Sequence, residues 1–289
     1  MREADSNLNF PTEAGAKPLK PIKQPLKLTP DQAPLVATSH DCHSPLLPEH
    51  LNSARPTLQD GAIAAVESDL PVAEVLVAAQ EVSDRSVLRD RILHWLQKNV
   101  PNSRLQHILR VEQMSADLAK QHQVDVTQAA LAGLLHDLAK FFKPQRLLQM
   151  ARADDLTIDP VELANPHLLH AAVGAIVARD EFGIREAAVL DAIRHHTLGC
   201  PGMSALSCVV FLADSLEPGR GDTLELEALR RISQQDLHHA VWQTCDESLR
   251  HLLARSQQIH PRMVLTRNWA LALTDKKSSD KKVMVSRTP

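Results

Sequence analysis

The sequence predicts an all-α protein, and three features of its 289 residues indicate this class. From about residue 85 onward, apolar residues recur at the three- and four-residue spacing that places them on one face of a helix. No stretch shows the convincing apolar–polar alternation of a half-buried strand. Short connections rich in glycine, proline and asparagine, such as LANPH and TLGCPG, separate the helical stretches. Together these features are typical of a helical bundle.

Seven stretches have this helical pattern. The first ends at Pro101, Asp125 can cap the third, and Pro144 stops the third. In order they are SVLRDRILHWLQKNV, NSRLQHILRVEQMSADLAKQH, VTQAALAGLLHDLAKFF, PHLLHAAVGAIVARDEF, IREAAVLDAIRHHT, MSALSCVVFLADSLEP and QQDLHHAVWQTCDESLRHLLARSQQI.

Proline divides the chain into two regions. Ten of the 18 prolines lie in the first 71 residues, and their spacing in KPLKPIKQPLKLTPDQAP favours extended, solvated chain over helix. We therefore predict a proline-rich, mostly disordered extension over residues 1–84, with one or two short helices near its end. A helical domain follows over residues 85–275, and residues 276–289 are predicted to form a disordered tail. The extension is more typical of a plain tail than of a docking arm, so a protein partner for it is left open.

Composition limits the partners and the location. The formal net charge is −3, so no global basic field favours nucleic acid or an anionic membrane. The four cysteines lack C-x-x-C spacing, which favours a reducing compartment. The start MREADSNLNF has no apolar core of a secretory signal, and the longest apolar run, AALAGLL, is far shorter than the roughly 20 residues that span a bilayer. We expect a soluble, cytoplasmic protein that binds neither nucleic acid nor membrane.

His136 and Asp137 are adjacent within the apolar stretch LLHDLAKFF. Their helix is apolar almost all round, which indicates a central position in the bundle. Asp214 ends another apolar run, in CVVFLADSLEP. Because an isolated buried carboxylate costs several kcal/mol, both acids should have a partner that offsets this cost.

A divalent cation would be such a partner. His107 lies on the same helix face as the apolar residues 111, 114 and 118, so its ring should also face the core. Two imidazoles and two carboxylates suit iron, manganese or zinc better than calcium. The alternative is that these are ordinary core or surface residues, which is the usual role of a lone histidine among the 15 in this chain. We favour the metal because His107, the His136–Asp137 pair and Asp214 all lie among apolar residues on helices. The remaining helical-region histidines expected on the surface are His122, His238, His239, His251 and His260.

The order H…HD…D on successive helices resembles the HD-domain metal-dependent phosphohydrolases. More narrowly, five segments are similar to the YqeK-type family of symmetrical bis(5'-nucleosyl)-tetraphosphatases, which hydrolyse diadenosine tetraphosphate. These segments run in order from about residue 100 to about residue 270, and the block with AIRHHTLGCPGMS and LADSLEPGR is the most specific of them. They are SRLQHILRVEQMSADLA, AALAGLLHDLAK, PHLLHAAVGAIVA, LDAIRHHTLGCPGMSALSCVVFLADSLEPGR and TRNWAL.

The resemblance implies an HD-domain helical bundle and a set of site residues. The implied metal ligands are His107, His136, Asp137 and Asp214, with iron as the usual metal and a second ion left open. Asp137 and Lys140 are the implied catalytic residues. Lys140 would contact substrate phosphates, although a lysine there could instead interact with the helix C-terminus. The implied substrate contacts are His107, Arg110, Asp137, Lys140, His170, His196, Arg220 and Asn268; for Asn268 an exposed polar role on a helix is an equal alternative.

The implied activity is symmetrical cleavage of diadenosine tetraphosphate to two ADP. One alternative keeps the HD chemistry but changes the substrate to a nucleoside monophosphate, a cyclic nucleotide or guanosine tetraphosphate. Another is a non-catalytic nucleotide-binding scaffold whose extension recruits a partner. A homodimer is left open by the sequence.

Overall fold

A computed structural model gives the fold of residues 72–285 and describes side chains for residues 84–274. All regular secondary structure in this part of the chain is helical, which confirms the predicted all-α class. Residues 1–71 and 286–289 lie outside the described part, so the disorder predicted for them stays a prediction. No helix within residues 72–285 has both the length and the apolar composition required to cross a bilayer.

Eleven α-helices are described. They are α1 (Val72–Asn99), α2 (Asn102–Gln121), α3 (Val126–Leu135), α4 (Pro144–Ala153), α5 (Pro160–Ala164), α6 (His170–Phe182), α7 (Ala187–His195), α8 (Ala205–Leu216), α9 (Leu224–Ser233), α10 (Leu237–Ala254) and α11 (Pro261–Val285). Short 3₁₀ turns at Pro166–Leu169 and Pro218–Arg220 precede α6 and follow α8.

The helices differ from the sequence predictions at both ends of the domain. Helix α1 begins at Val72, near the end of the predicted extension, where a short helix was expected, but it runs on without a break to Asn99. Helix α11 continues through residues 276–285, where we predicted a disordered tail. The stretch 276–285 contains neither proline nor glycine, so no residue in it interrupts a helix that has already started. Helices α4, α5, α9 and α11 were not among the predicted stretches.

The centre of the bundle is formed by α3, α6, α7 and α8. Residues 206–213 of α8 are all buried, and α2 packs against both α3 and α8. The contact between α2 and α3 is close because α3 has Gly133 at the crossing: a Cβ there would lie 2.8 Å from Ser115 Oγ and 3.0 Å from Glu112 Cα. This close approach brings the middle of α2 next to the end of α3.

Helix α3 ends earlier than predicted. Asp125 caps it as expected, since its side chain accepts from the Gln128 N–H at 2.9 Å. The helix stops at Leu135, however, and residues 136–141 form tighter turns with hydrogen bonds three residues apart, such as Lys140 N–H to Asp137 O at 3.0 Å. His136 and Asp137 therefore lie at the helix end, where side chains can turn toward the other helices.

The prediction that His260 lies on the surface is wrong. His260 is only 5% exposed, and its Nε2 lies 3.6 Å from Glu162 Oε1 on α5. The short loop before α11 therefore turns this histidine inward rather than toward solvent.

Candidate metal centre

Three helices bring the four predicted metal ligands together. His107 lies in α2, His136 and Asp137 lie at the end of α3, and Asp214 lies near the end of α8. The Nε2 atom of His107 is 3.1 Å from Asp214 Oδ1 and 3.9 Å from Asp137 Oδ2. The Nε2 atom of His136 is 3.7 Å from Asp214 Oδ1 and 3.4 Å from Asp137 Oδ2. Two nitrogens and two oxygens thus face one small volume.

Several of these atoms are buried without a hydrogen-bond partner. Within residues 84–274 they include Nε2 of His107, Nε2 of His136 and Oδ1 of Asp137. Buried polar atoms in folded proteins nearly always have a partner. Two unpaired imidazole nitrogens facing the same volume as two carboxylates, a nitrogen and oxygen set that divalent transition metals prefer, fit a metal ion.

Each of three buried histidines makes the same kind of local hydrogen bond. In His136, His170 and His196, the ring Nδ1 meets the carbonyl oxygen three residues earlier, at 2.6, 2.5 and 2.8 Å. A carbonyl oxygen can only accept, so Nδ1 carries the proton and Nε2 carries the free lone pair. Each ring is therefore fixed in the tautomer that points an unprotonated Nε2 toward the centre.

The second oxygen of Asp137 faces a second group. Asp137 Oδ1 lies 3.4 Å from His170 Nε2 and 3.7 Å from His196 Nε2, and the two nitrogens are 3.1 Å apart. This trio also has the spacing of a metal site. Asp137 thus lies between the two groups, with Oδ2 toward His107 and His136 and Oδ1 toward His170 and His196.

Two positively charged side chains and one hydroxyl group lie beside the centre. Lys140 Nζ lies 3.1 Å from His170 Nε2, and Thr197 Oγ1 lies 3.2 Å from the same nitrogen. Arg220 donates from Nη2 to Asp214 Oδ1 at 2.5 Å and from Nε to the Asp214 carbonyl at 2.8 Å. The predicted residues Lys140, His170, His196 and Arg220 therefore all lie at this site.

Arg104 was missed by the sequence analysis. Its Nη1 donates to Asp137 Oδ2 at 2.9 Å, and its guanidinium lies 6.0 Å from the centre of the exposed Phe141 ring. A signal for it exists in the sequence, because Arg104 precedes His107 by three residues and so shares its helix face.

The structure does not bring Arg110 and Asn268 into this group. Arg110 binds Glu217 instead, through Nε to Oε2 at 2.5 Å. Asn268 is exposed on α11 and accepts from Arg267 at 3.2 Å, and no contact among the described side chains joins it to the histidines. Both were predicted from the resemblance, which fixes their positions in the sequence but not the direction of their side chains.

Burial and charge set the protonation states. Burial and, after it, the nearby Lys140 ammonium lower the pKa of His170 to about 4. Burial likewise lowers the pKa of His196 to about 3. Burial alone would raise the pKa of Asp137, but the neighbouring imidazoles outweigh burial and hold it well below its usual range. Neutral imidazole and ionised carboxylate are the forms that bind metals.

His136 shows the opposite shift. Burial disfavours its charged form, yet the Asp137 and Asp214 carboxylates outweigh burial and raise the pKa. The pKa of Asp214 is lowered despite burial, chiefly by the adjacent His107 ring. The two acids therefore attract positive charge into the centre, which is the electrostatic requirement of a cation site.

The fold and the site define an HD-domain protein, and residues 104–219 match the family model of the HD domain. The chain belongs to the family of symmetrical bis(5'-nucleosyl)-tetraphosphatases. The protein of that name from Bacillus subtilis (strain 168) is 31% identical over 64% of this chain and 98% of its own length. The one from Halalkalibacterium halodurans is 34% identical over 63% of this chain and 97% of its own length. These matches confirm the family indicated by the sequence motifs.

A solved structure agrees with this assignment. It is described as a predicted HD superfamily hydrolase involved in NAD metabolism from Clostridium acetobutylicum, and it is 29% identical to this chain with a TM-score of 0.61. The match covers 63% of this chain and 96% of that structure. The HD-domain bundle therefore accounts for most of the helical region.

Proposed function

We propose that this protein is a metal-dependent hydrolase that cleaves diadenosine tetraphosphate symmetrically into two molecules of ADP. The observation that carries the proposal is the meeting of His107, His136, Asp137 and Asp214, in which both histidine Nε2 atoms lack hydrogen-bond partners. The substrate follows from relatives that are named symmetrical bis(5'-nucleosyl)-tetraphosphatases and matched over almost their whole length.

The four residues would hold one divalent cation. Iron is the metal we propose, with manganese and zinc as alternatives, because all three accept mixed imidazole and carboxylate ligands. Such a cation supplies positive charge that polarises a phosphoryl oxygen and acidifies the attacking water. The trio of Asp137, His170 and His196 leaves space for a second ion.

Asp137 has a further role in this proposal. Its Oδ1 is a buried, ionised acceptor without a hydrogen-bond partner in the described structure. It can accept a hydrogen bond from the attacking water and so orient that water toward phosphorus. General-base and positioning roles of this kind require a carboxylate within hydrogen-bond distance of the water.

Lys140, Arg220 and Arg104 would bind the polyphosphate. Each places a cationic nitrogen within 3.1 Å of a residue of the histidine–aspartate group. The transition state of phosphoryl transfer spreads negative charge over the equatorial oxygens, and preorganised cations stabilise that charge more than they stabilise the ground state. Neutral His170 and His196 can accept hydrogen bonds beside them through Nε2, since their Nδ1–H groups are used by backbone carbonyls. A role of Arg110 in phosphate binding is not supported by its contact with Glu217.

Product analysis tests the proposal. Purified, metal-loaded protein is incubated with diadenosine tetraphosphate, and ADP is resolved from AMP plus ATP by chromatography. We expect ADP alone, and we expect Asp137→Ala to abolish turnover while Asp117→Ala, a change of an exposed acid on α2, leaves it intact. A mixture of AMP and ATP would contradict symmetrical cleavage, and undiminished turnover in Asp137→Ala would contradict the site.

A nucleotide panel separates the alternatives. Faster turnover of a cyclic nucleotide, a nucleoside monophosphate or guanosine tetraphosphate would change the substrate but keep the HD chemistry. Binding of both metal and nucleotide without turnover of any of them would favour a scaffold. The cytoplasmic location stays a prediction, and a homodimer and a protein partner for residues 1–84 stay open.

A further inference from the structure

Glu217 is a buried acid beside the metal centre that none of the sequence motifs singled out. It directly follows α8, three residues after Asp214, and is 1% exposed. Its Oε1 receives His107 Nδ1 at 2.9 Å, and its Oε2 receives Arg110 Nε and the Gly219 N–H, each at 2.5 Å. Both oxygens are therefore engaged away from the centre, so Glu217 is not arranged as a metal ligand.

His107 is held differently from the other three histidines. His136, His170 and His196 each donate Nδ1–H to a nearby backbone carbonyl, whereas His107 donates to a carboxylate on another helix segment. A carboxylate fixes the same tautomer and, because it is charged, also makes the imidazole a stronger metal ligand. Among the four rings of the described site, His107 is the one with a charged anchor.

We propose that Glu217 is a positioning residue that sets the tautomer, direction and basicity of His107 for metal binding. The inference rests on the proposed metal centre. Because Asp214 and Glu217 belong to one short segment at the end of α8, that segment supplies one candidate ligand directly and holds another, on α2, in place. The two helices are thereby locked in register at the metal.

Glu217 is itself firmly held. Arg110 adds a second contact, from Nη2 to Oε1 at 3.4 Å. Its guanidinium lies directly against Gly219, where a side chain would collide with it. Arg230 fastens the backbone around the acid by donating to the carbonyls of Leu216 and Glu217 at 2.8 and 3.2 Å. A carboxylate that is held from several sides can in turn hold the His107 ring in one orientation. In this arrangement Arg110 holds Glu217 in place, a role that does not depend on substrate.

The test measures metal binding and the His107 tautomer separately from catalysis. Full-length Glu217→Gln and Glu217→Ala proteins are compared with wild type and with Glu225→Gln, a change of an exposed acid on α9. Affinity for Mn²⁺ is measured by calorimetry, and the tautomer of His107 is read from ¹⁵N chemical shifts of histidine-labelled, metal-free protein. His107→Gln provides the assignment of the resonance.

We expect Mn²⁺ affinity to fall by about 100-fold in Glu217→Ala and by about tenfold in Glu217→Gln, since the amide oxygen still accepts from Nδ1 but carries no charge. The His107 ring should stay Nδ1-protonated in wild type and Glu217→Gln and become a tautomer mixture in Glu217→Ala. Glu225→Gln should match wild type in both measurements.

Two results would overturn the inference. One is Mn²⁺ affinity in Glu217→Gln equal to that of Glu225→Gln, a comparison that stands even if Glu217→Ala does not fold. The other is an unchanged His107 tautomer in folded Glu217→Ala. If wild type binds Mn²⁺ but hydrolyses no nucleotide, the proposed function fails while the Glu217 inference is still decided by these affinities.

Discussion

The Nε2 atom of His107 lies 3.1 Å from Asp214 Oδ1, although the two residues belong to separate helices, α2 and α8. Around this pair the structure gathers two further ligand candidates; three of the four are buried, and the Asp214 side chain is 19% exposed. Arg104 and Arg220 compensate the two carboxylates, but the Nε2 atoms of His107 and His136 are buried without a partner, which is unfavourable. The stability of this group should therefore depend on a bound cation.

Metal removal should lower thermal stability. A cation that binds only the folded state at a free concentration 100 times its Kd adds about 2.7 kcal/mol to the free energy of unfolding. For a domain of this size, chelation should lower Tm by about 5–10 °C, as measured by calorimetry. Asp214→Asn removes a ligand, so the chelator should leave its Tm unchanged; an equal shift in this variant would argue against the centre.

Lys140→Met should impair catalysis without removing the metal. Its ammonium lies beside His170 at the second group of the site, so its loss removes positive charge where the phosphates are proposed to bind. We expect kcat/KM for diadenosine tetraphosphate to fall by about 100-fold, with Mn²⁺ affinity retained. Lys143→Met, which alters an exposed lysine three residues later, is the matched control and should retain full activity.

Gly133→Ala should loosen the contact between α2 and α3. The new Cβ would lie 2.8 Å from Ser115 Oγ and 3.0 Å from the Glu112 backbone, distances that force the helices apart. We expect a loss of about 1–3 kcal/mol in the free energy of unfolding, measured with urea, together with weaker metal binding as His107 moves away from His136. Adding Ser115→Ala should restore only part of the loss, because the backbone contact remains. Full restoration would show that the hydroxyl alone is responsible.

Glu162→Gln should make the free energy of unfolding less dependent on pH under acidic conditions. Burial would raise the pKa of Glu162, but the His260 ring and the Asp159 N–H outweigh it and lower the pKa. A lowered folded-state pKa means that the stabilisation is present above the unfolded value, about 4.3, and is lost as pH falls through the folded value.

Wild type should therefore lose more stability than Glu162→Gln between about pH 5 and pH 3. Glutamine can keep the capping box, in which Glu162 Oε2 accepts from the Asp159 N–H at 2.9 Å, so the comparison isolates the charge. Urea unfolding at several pH values provides the measurement. Parallel pH curves for the two proteins would contradict the assignment.

The sequence by itself determined the fold class and the chemistry of the centre. Helical periodicity and capping are local properties, so the all-α class and the Asp125 cap could be read without a structure. The acids Asp137 and Asp214 in apolar runs required a compensating partner, and the order of His107, His136 and these acids matched a known family. The apolar neighbours of the two acids and the order of the motif residues can both be read directly from the sequence.

Only the tertiary structure decided which charged groups face that centre. Arg104 and Arg110 lie three residues before and after His107, so helix spacing places both on its face. Because α8 packs against α2, Arg110 donates to Glu217. The turn at the end of α3 places Asp137 beside Arg104, which donates to it. Long charged side chains take the partner that distant segments present to them, and neither periodicity nor motif spacing records where those segments meet.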